Sequence, residues 1–416
     1  MNILYEKKLW YVLFFLNISG GTCFFSYNNT RKANKGSNQS SDAFLNSLQL
    51  LQKYNYPTEE HVIVTKDGYK LRSFRIPRNG PPVLLVHGIG DSSDCWLVLG
   101  PKHSLAFLLA DAGFDVWLFN ARGNRYSKEN PRRINQKQYW DFSYEEIGIL
   151  DLPATIDHIL NITRRSKLTY IGFSQGTTVF FVMCSMLAEY NSLIDHAILL
   201  APVAWIKYTK FPLIDFFSRN LKNLTLYAKN NKVYEVFPFN HQLNKFHATV
   251  CQVNSPFRLL CELEYYIDFG LKKITNLLAD RLPVIASHIP AGSSAKTFFH
   301  FIQGHANKRF QRYDYGIEKN KKRYTSLSPP EYSVSLISVP MTLVVSEVDW
   351  FSDIDDVGIL IRKLKTVDKF ININESVQFT HLEFVYGSRV NTVINKPDKR
   401  ELTNTLRLCN KLINYS

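Results

Sequence analysis

Cysteine is scarce, with six in 416 residues. That excludes a disulfide scaffold, which a chain long enough to bury a large core does not need. No group of cysteine and histidine stands at metal-ligand spacing, so the sequence offers no zinc module and no metal is expected. No internal repeat is present. The net charge is +14, from 50 basic and 36 acidic side chains. The basic residues are scattered between apolar runs. They form neither a long block nor a nucleic-acid motif, so nucleic acid is not an expected partner. Beyond the first two dozen residues no apolar run reaches bilayer-spanning length, and no transmembrane segment is expected in the mature chain.

What is present is apolar and aromatic: 45% hydrophobic residues and 14% Phe, Trp and Tyr. Lys7 and Lys8 precede an apolar run from Leu9 to Ile18, followed by Ser19, Gly20 and Gly21. That order is a secretory signal, expected to cover 1–21, with a polar flexible leader over 22–41. Asn-x-Ser/Thr tripeptides at Asn28, Asn38, Asn161, Asn223, Asn374 and Asn414 fit a glycosylated lumenal protein. With Cys23 in the leader, Cys95, Cys184, Cys251, Cys261 and Cys409 form an odd set, so full internal pairing leaves one over.

From 61 to 76 the pattern alternates around Lys66-Asp67-Gly68, which predicts a β-hairpin. Short apolar runs then alternate with helical patterns. Strands are expected at 83–86, 114–119, 168–171 and 197–200, and helices at 105–112, 144–162 and 177–187. Strands that are apolar on both sides imply a parallel sheet covered on both faces. The alternation stops from about 203 to 325 and resumes at 341–345. The core is therefore expected at 42–202 and 326–416, with 203–325 as a helical insertion.

Gly172-Phe173-Ser174-Gln175-Gly176 is a G-x-S-x-G motif between an apolar strand and a helix. A serine on that turn is lifted above the sheet edge, and Gly172 and Gly176 remove side chains that would collide there. This pattern predicts the nucleophile elbow of an α/β-hydrolase, with Ser174 as the expected nucleophile. A serine hydroxyl needs a base to take its proton, and in this fold the order is Ser, acid, His. Asp349 lies just after the 341–345 strand, ahead of Asp353, Asp355 and Asp356, and is the expected acid. His381, beyond the next strand, is the expected base. His241, His247, His288, His300 and His305 fall in the insertion and read as surface or structural residues. The strand 83–86 ends in His87-Gly88-Ile89-Gly90. Ile89 N–H is the expected second oxyanion donor, beside Gln175 N–H.

These segments resemble the acid lipase family of gastric and lysosomal lipases and their insect relatives. The likeness runs from about Asp42 to the C-terminus through LLVHGIGDSSDCW, FNARGNRYS, IGFSQGTT, HIPAGSSAKTFFHFIQ, DWFSDIDDVGILIRKL and THLEF. It implies the same triad, the same oxyanion donors and hydrolysis of neutral-lipid esters without a metal or cofactor. Three features depart from the family pattern. Phe173 replaces a usual His, and Ile89-Gly90 replaces Leu-Leu. The family's Cys-x7-Cys pair would match Cys261 but meets Phe269 instead. Cys251 and Cys261 are then either paired with each other or both free.

Within the insertion, Trp205, Phe211, Phe216 and Phe217 are interleaved with Lys207, Lys210 and Arg219. A basic, aromatic, amphipathic segment suits a lid at a lipid–water interface, or ordinary cap packing. The resulting expectation is a secreted or lysosomal serine lipase acting on triacylglycerol or sterol esters. The competing readings are a non-catalytic lipid-binding protein and an esterase for small soluble esters.

Overall fold

The computed structural model describes residues 42–395 apart from 131, 133, 271–276 and 278. The expected signal and leader, Cys23, Cys409, Asn28, Asn38 and Asn414 lie outside the described residues. Among the described residues ten strands follow in chain order: β1 (Glu59–Val64), β2 (Lys70–Ile76), β3 (Pro82–Val86), β4 (Asp115–Leu118), β5 (Leu168–Phe173), β6 (Ile194–Leu200), β7 (Glu235–Val236), β8 (Ser293–Ser294), β9 (Met341–Ser346) and β10 (Val367–Ile373). Eight of them build one sheet in the order β1-β2-β4-β3-β5-β6-β9-β10. β1 and β2 are the expected antiparallel hairpin, and β2 meets β4 antiparallel. All later pairings are parallel.

The two-sided apolar strands feed two cores. Side chains alternate across a strand, so Val83, Leu85, Ile171, Phe173, Ile198 and Leu200 enter one core. Leu84, Val86, Tyr170, Ala197 and Leu199 enter the other. Both faces are covered by helices, among them α1 (Ser47–Lys53), α2 (Leu105–Asp111), α3 (Leu152–Thr163) and α4 (Gln175–Met186). The helical pattern over 144–162 is interrupted. A π-turn spans Ile147–Asp151, with Leu152 N–H donating to Ile147 O, ahead of Pro153, which has no N–H to give.

Between β6 and β9 the chain leaves the sheet. This excursion contains α5 (Ile214–Arg219), α6 (Leu221–Asn230), α7 (His241–Val250), α8 (Arg258–Phe269), α9 (Leu282–His288), α10 (Ala295–Asn307) and α11 (Ile317–Tyr324), with β7 and β8 paired as a small ribbon. Phe217, Leu224, Val236, Phe299 and Ile302 form a core of their own. Two helices follow β9 and β10 respectively: α12 (Ile354–Lys363) and α13 (Glu383–Tyr386).

The expected lipid-facing aromatics are largely packing residues instead. Trp205 is buried in the second sheet core, against Phe310 and under the Lys363 ammonium. Phe217 is buried against Phe298, Phe216 lies against Phe217, and Phe211 stacks on Phe351. Aromatic surface in this segment gains more from these apolar neighbours than from water, which is why the segment turns inward. The exposed apolar side chains of the excursion lie further on, along α7, α8 and the turn between them: Phe246, Val253, Phe257, Leu259, Leu260 and Leu263. Cys251 and Cys261, left open as paired or free, form a disulfide that ties α7 to α8. Cys261 thus has its partner upstream rather than at position 269. Cys95 and Cys184 are free and buried. No helix among the described residues is long and apolar enough to cross a membrane.

Candidate active site

Parallel register brings the carboxyl ends of β3, β5, β6 and β9 to one edge, with Val86 beside Gly172, Phe173 beside Leu200, and Leu200 beside Val344. In such sheets this edge is where ligands bind. Ser174 leaves β5 there with φ 52° and ψ −118°, a left-sided backbone that an L-residue adopts only when its surroundings hold it. Ser174 N–H donates to Leu200 O at 3.0 Å. Thr177 returns both its N–H (2.8 Å) and its hydroxyl (2.7 Å) to Ser174 O. The two motif glycines are needed on steric grounds. A Cβ on Gly176 would stand 2.3 Å from Val86 O, and one on Gly172 would stand 2.8 Å from Gly176 O.

Ser174 Oγ lies 2.8 Å from His381 Nε2, and His381 Nδ1 lies 2.8 Å from Asp349 Oδ2. The other Asp349 oxygen accepts N–H bonds from Phe351 (2.8 Å) and Ser352 (3.1 Å). Asp349 is fully buried, and Ser174 and His381 are nearly so. The imidazole sits between the rings of Phe173 and Phe351, each 5.0 Å away, so the residue that replaces the family's usual His forms one wall of the histidine's slot. The three competing acids are elsewhere. Asp353 caps α12 and pairs with Lys210, Asp356 accepts N–H bonds from Lys207 and Tyr208, and Asp355 is exposed. Asp353 and Asp356 thereby pin the start of the excursion beside the Asp349 loop.

The loop after β3 approaches the serine closely. A Cβ on Gly88 would stand 3.3 Å from Ser174 Cβ. His87, which the sequence reading passed over, orients this loop. Its Nε2 accepts from Ala121 N–H (3.2 Å) and Asn124 Nδ2 (3.3 Å), which leaves the proton on Nδ1 to donate to Gly88 O at 2.7 Å. Burial lowers the His87 pKa to about 4, so the ring stays neutral in this role. Because the peptide is planar and trans, holding Gly88 O turns Ile89 N–H the opposite way. Gln175 is the first residue of α4, where a backbone N–H has no intrahelical acceptor. Next along the loop, Gly90 O accepts from Ala291 N–H at 2.7 Å, and Phe237 of the excursion rests on Gly90. Sequence carried one hint of this support, since His87 and Asn124 lie in two of the segments that resemble the lipases.

The insertion histidines take structural roles where their partners are visible. His288 bridges Val284 O and Leu45 O, His300 stacks on Tyr144 and bonds Gln311 O, and His305 bonds Ile206 O. His247 gathers with Cys251 and Cys261, whose sulfurs are bonded to each other.

Two family models match the chain: the alpha/beta hydrolase fold over residues 81–383 and the partial alpha/beta-hydrolase lipase region over 48–100. Among curated relatives, "Lipase 1" of Drosophila melanogaster is 37% identical over 85% of this chain and 78% of its own length. "Gastric triacylglycerol lipase" of Homo sapiens is 36% identical over 84% and 88%. "Lipase 3" of Drosophila melanogaster is 36% identical over 80% and 86%. With that likeness spread over most of its length and an elbow serine on its sheet edge, the chain belongs to the α/β-hydrolase lipase family, a family of carboxylic ester hydrolases.

Proposed function

We propose that the protein is a serine lipase that hydrolyses neutral-lipid esters, triacylglycerol or sterol ester, through an acyl-enzyme on Ser174. The observation that carries the reading is the unbroken hydrogen-bond chain from Asp349 through His381 to Ser174. His381 Nε2 takes the Ser174 proton as Oγ attacks the ester carbonyl, and Asp349 holds the ring in the required tautomer and offsets its charge. The oxyanion accepts from Ile89 and Gln175 N–H, each worth roughly 3 kcal/mol at the transition state. His381 then passes the proton to the departing alcohol. Water, activated by the same imidazole, releases the fatty acid and restores the hydroxyl.

Neutral lipid as substrate is supported by the relatives named gastric triacylglycerol lipase and by the apolar face of α7 and α8, which offers a surface for an oil–water interface. A small soluble ester needs no such face, and a passive lipid carrier needs no triad. The signal-like start, the Cys251–Cys261 disulfide and exposed sequon asparagines at Asn161, Asn223 and Asn374 support a secreted protein or one of the lysosomal lumen.

The test is Ser174→Ala, assayed on emulsified triolein, cholesteryl oleate and p-nitrophenyl butyrate. The expected result is loss of at least about 1000-fold on every ester the parent cleaves, with an unchanged melting curve. A folded variant that keeps its turnover would end the serine mechanism. A parent active on the butyrate alone would end the lipid assignment.

A further inference from the structure

We propose that Asp91 and Tyr386 are a positioning pair that holds the oxyanion loop in register with the short helix following His381. The inference rests on the serine-esterase reading above and adds two residues to it. Asp91 directly follows the His87–Gly90 loop. Tyr386 ends α13, which starts two residues after His381. The two are 295 residues apart in the chain, yet Tyr386 OH donates to Asp91 Oδ2 at 2.7 Å. The second oxygen, Oδ1, accepts from Ser92 N–H at 2.7 Å, which fixes the carboxyl plane to the loop backbone. Asn124, which also bonds His87, reaches Asp91 O. One side of the site supplies Ile89 N–H and the other supplies the base, and this bond joins them directly.

Both partners are buried, at 6% and 1% exposure. A carboxyl group there is a costly choice. Asp94 lies close enough to oppose its ionisation, Cys95 and the Tyr265 phenol lie nearby, and burial raises the Asp91 carboxyl to about 7. Two apolar side chains of the same shape would pack there at less cost to folding. What they would not supply is a directional link of fixed length. Transition-state stabilisation depends on such alignment, because a displacement of about 1 Å between reacting groups and donors costs up to about 100-fold in rate. The pair therefore acts on the chemical step through the placement of Ile89 and His381, without touching substrate.

The experiment compares the full chain with Tyr386→Phe, Asp91→Asn and the double variant. The substrate is p-nitrophenyl butyrate, and rates are given per active site counted with a fluorophosphonate probe. The expected result is a kcat about tenfold lower in Tyr386→Phe, KM within twofold of the parent, and a melting temperature little changed. The double variant should be no slower than the slower single, since either change cuts the same link. A kcat within twofold of the parent in both singles would overturn the inference. So would losses that multiply in the double variant, or a loss that vanishes once labelled sites are counted. A parent whose Ser174 is not labelled would remove the esterase reading and the pair's function with it, a result distinct from labelled variants with normal kcat.

Discussion

Ser174 sits on a backbone that its own residue type disfavours, and the turn survives because its neighbours leave no other path. Gly176→Ala shows how little room there is. The added methyl would press on Val86 O, a backbone atom of the central sheet that cannot swing aside. We expect the variant to lose activity together with several degrees of melting temperature, read by differential scanning calorimetry. Retention of both would mean that β3 and α4 can separate, contrary to their tight packing. The meeting of Ser174, His381 and Asp349 was legible from sequence because each follows a recognisable strand in the order this fold requires. The supporting residues were not. His87 stands inside a readable motif, but its role depends on a tautomer set by Asn124 and Ala121, more than thirty residues away. Asp91 lies in a readable segment and Tyr386 in none, and nothing local pairs them, since their bond spans 295 residues and exists only once the sheet has formed.

Among the elements, the excursion between β6 and β9 stands off the eight-stranded sheet, and its most exposed apolar side chains lie outside the segment 205–217 that composition singled out. The composition of 205–217 is basic and aromatic, but composition alone cannot say which side of a short helix meets a neighbour. Phe211 found Phe351, Phe217 found Phe298, and Trp205 found the main core. The exposed face belongs instead to α7 and α8, where Leu259 is 74% and Phe246 65% exposed. The two regions predict opposite behaviour. Phe257→Ser with Leu260→Ser should reduce turnover on emulsified triolein severalfold and leave p-nitrophenyl butyrate unaffected, because only the emulsion must be engaged at an apolar surface. Phe217→Ser should instead cost about 3 kcal/mol of stability and lower both activities together, as loss of a buried ring does. A variant pair with the reverse pattern would return the lipid contact to the first segment.

For the whole molecule, buried ionisable groups set how stability responds to pH. Asp91 is raised to about 7 and Asp356 to about 6, both through burial, so the folded chain holds protons that the unfolded chain releases near 4. Their contribution is fully present below that pH and is lost as pH rises through the folded values. His87 at about 4 and His300 at about 3, again through burial, run the other way. Unfolded, they take protons below about 6.5, so their contribution is present above that pH and lost on acidification. Between pH 5 and 6 the two acids and two histidines nearly cancel. Asp91→Asn should therefore tilt stability upward with pH by about 1.4 kcal/mol per pH unit relative to the parent, and His300→Gln should tilt it downward by about as much. Urea unfolding at several pH values measures both, and parallel profiles would show that neither group is held as described. A last consequence follows from how the excursion is attached. It departs after β6 and returns before β9, and those strands pair directly, while Ser174, Asp349 and His381 all lie outside it. The excursion nevertheless touches both flanks of that trio, through Ala291 N–H on Gly90 O and through Lys207, Tyr208 and Lys210 on Asp356 and Asp353, so changes there reach the loops beside Ser174 and Asp349 as a hinge reaches its frame.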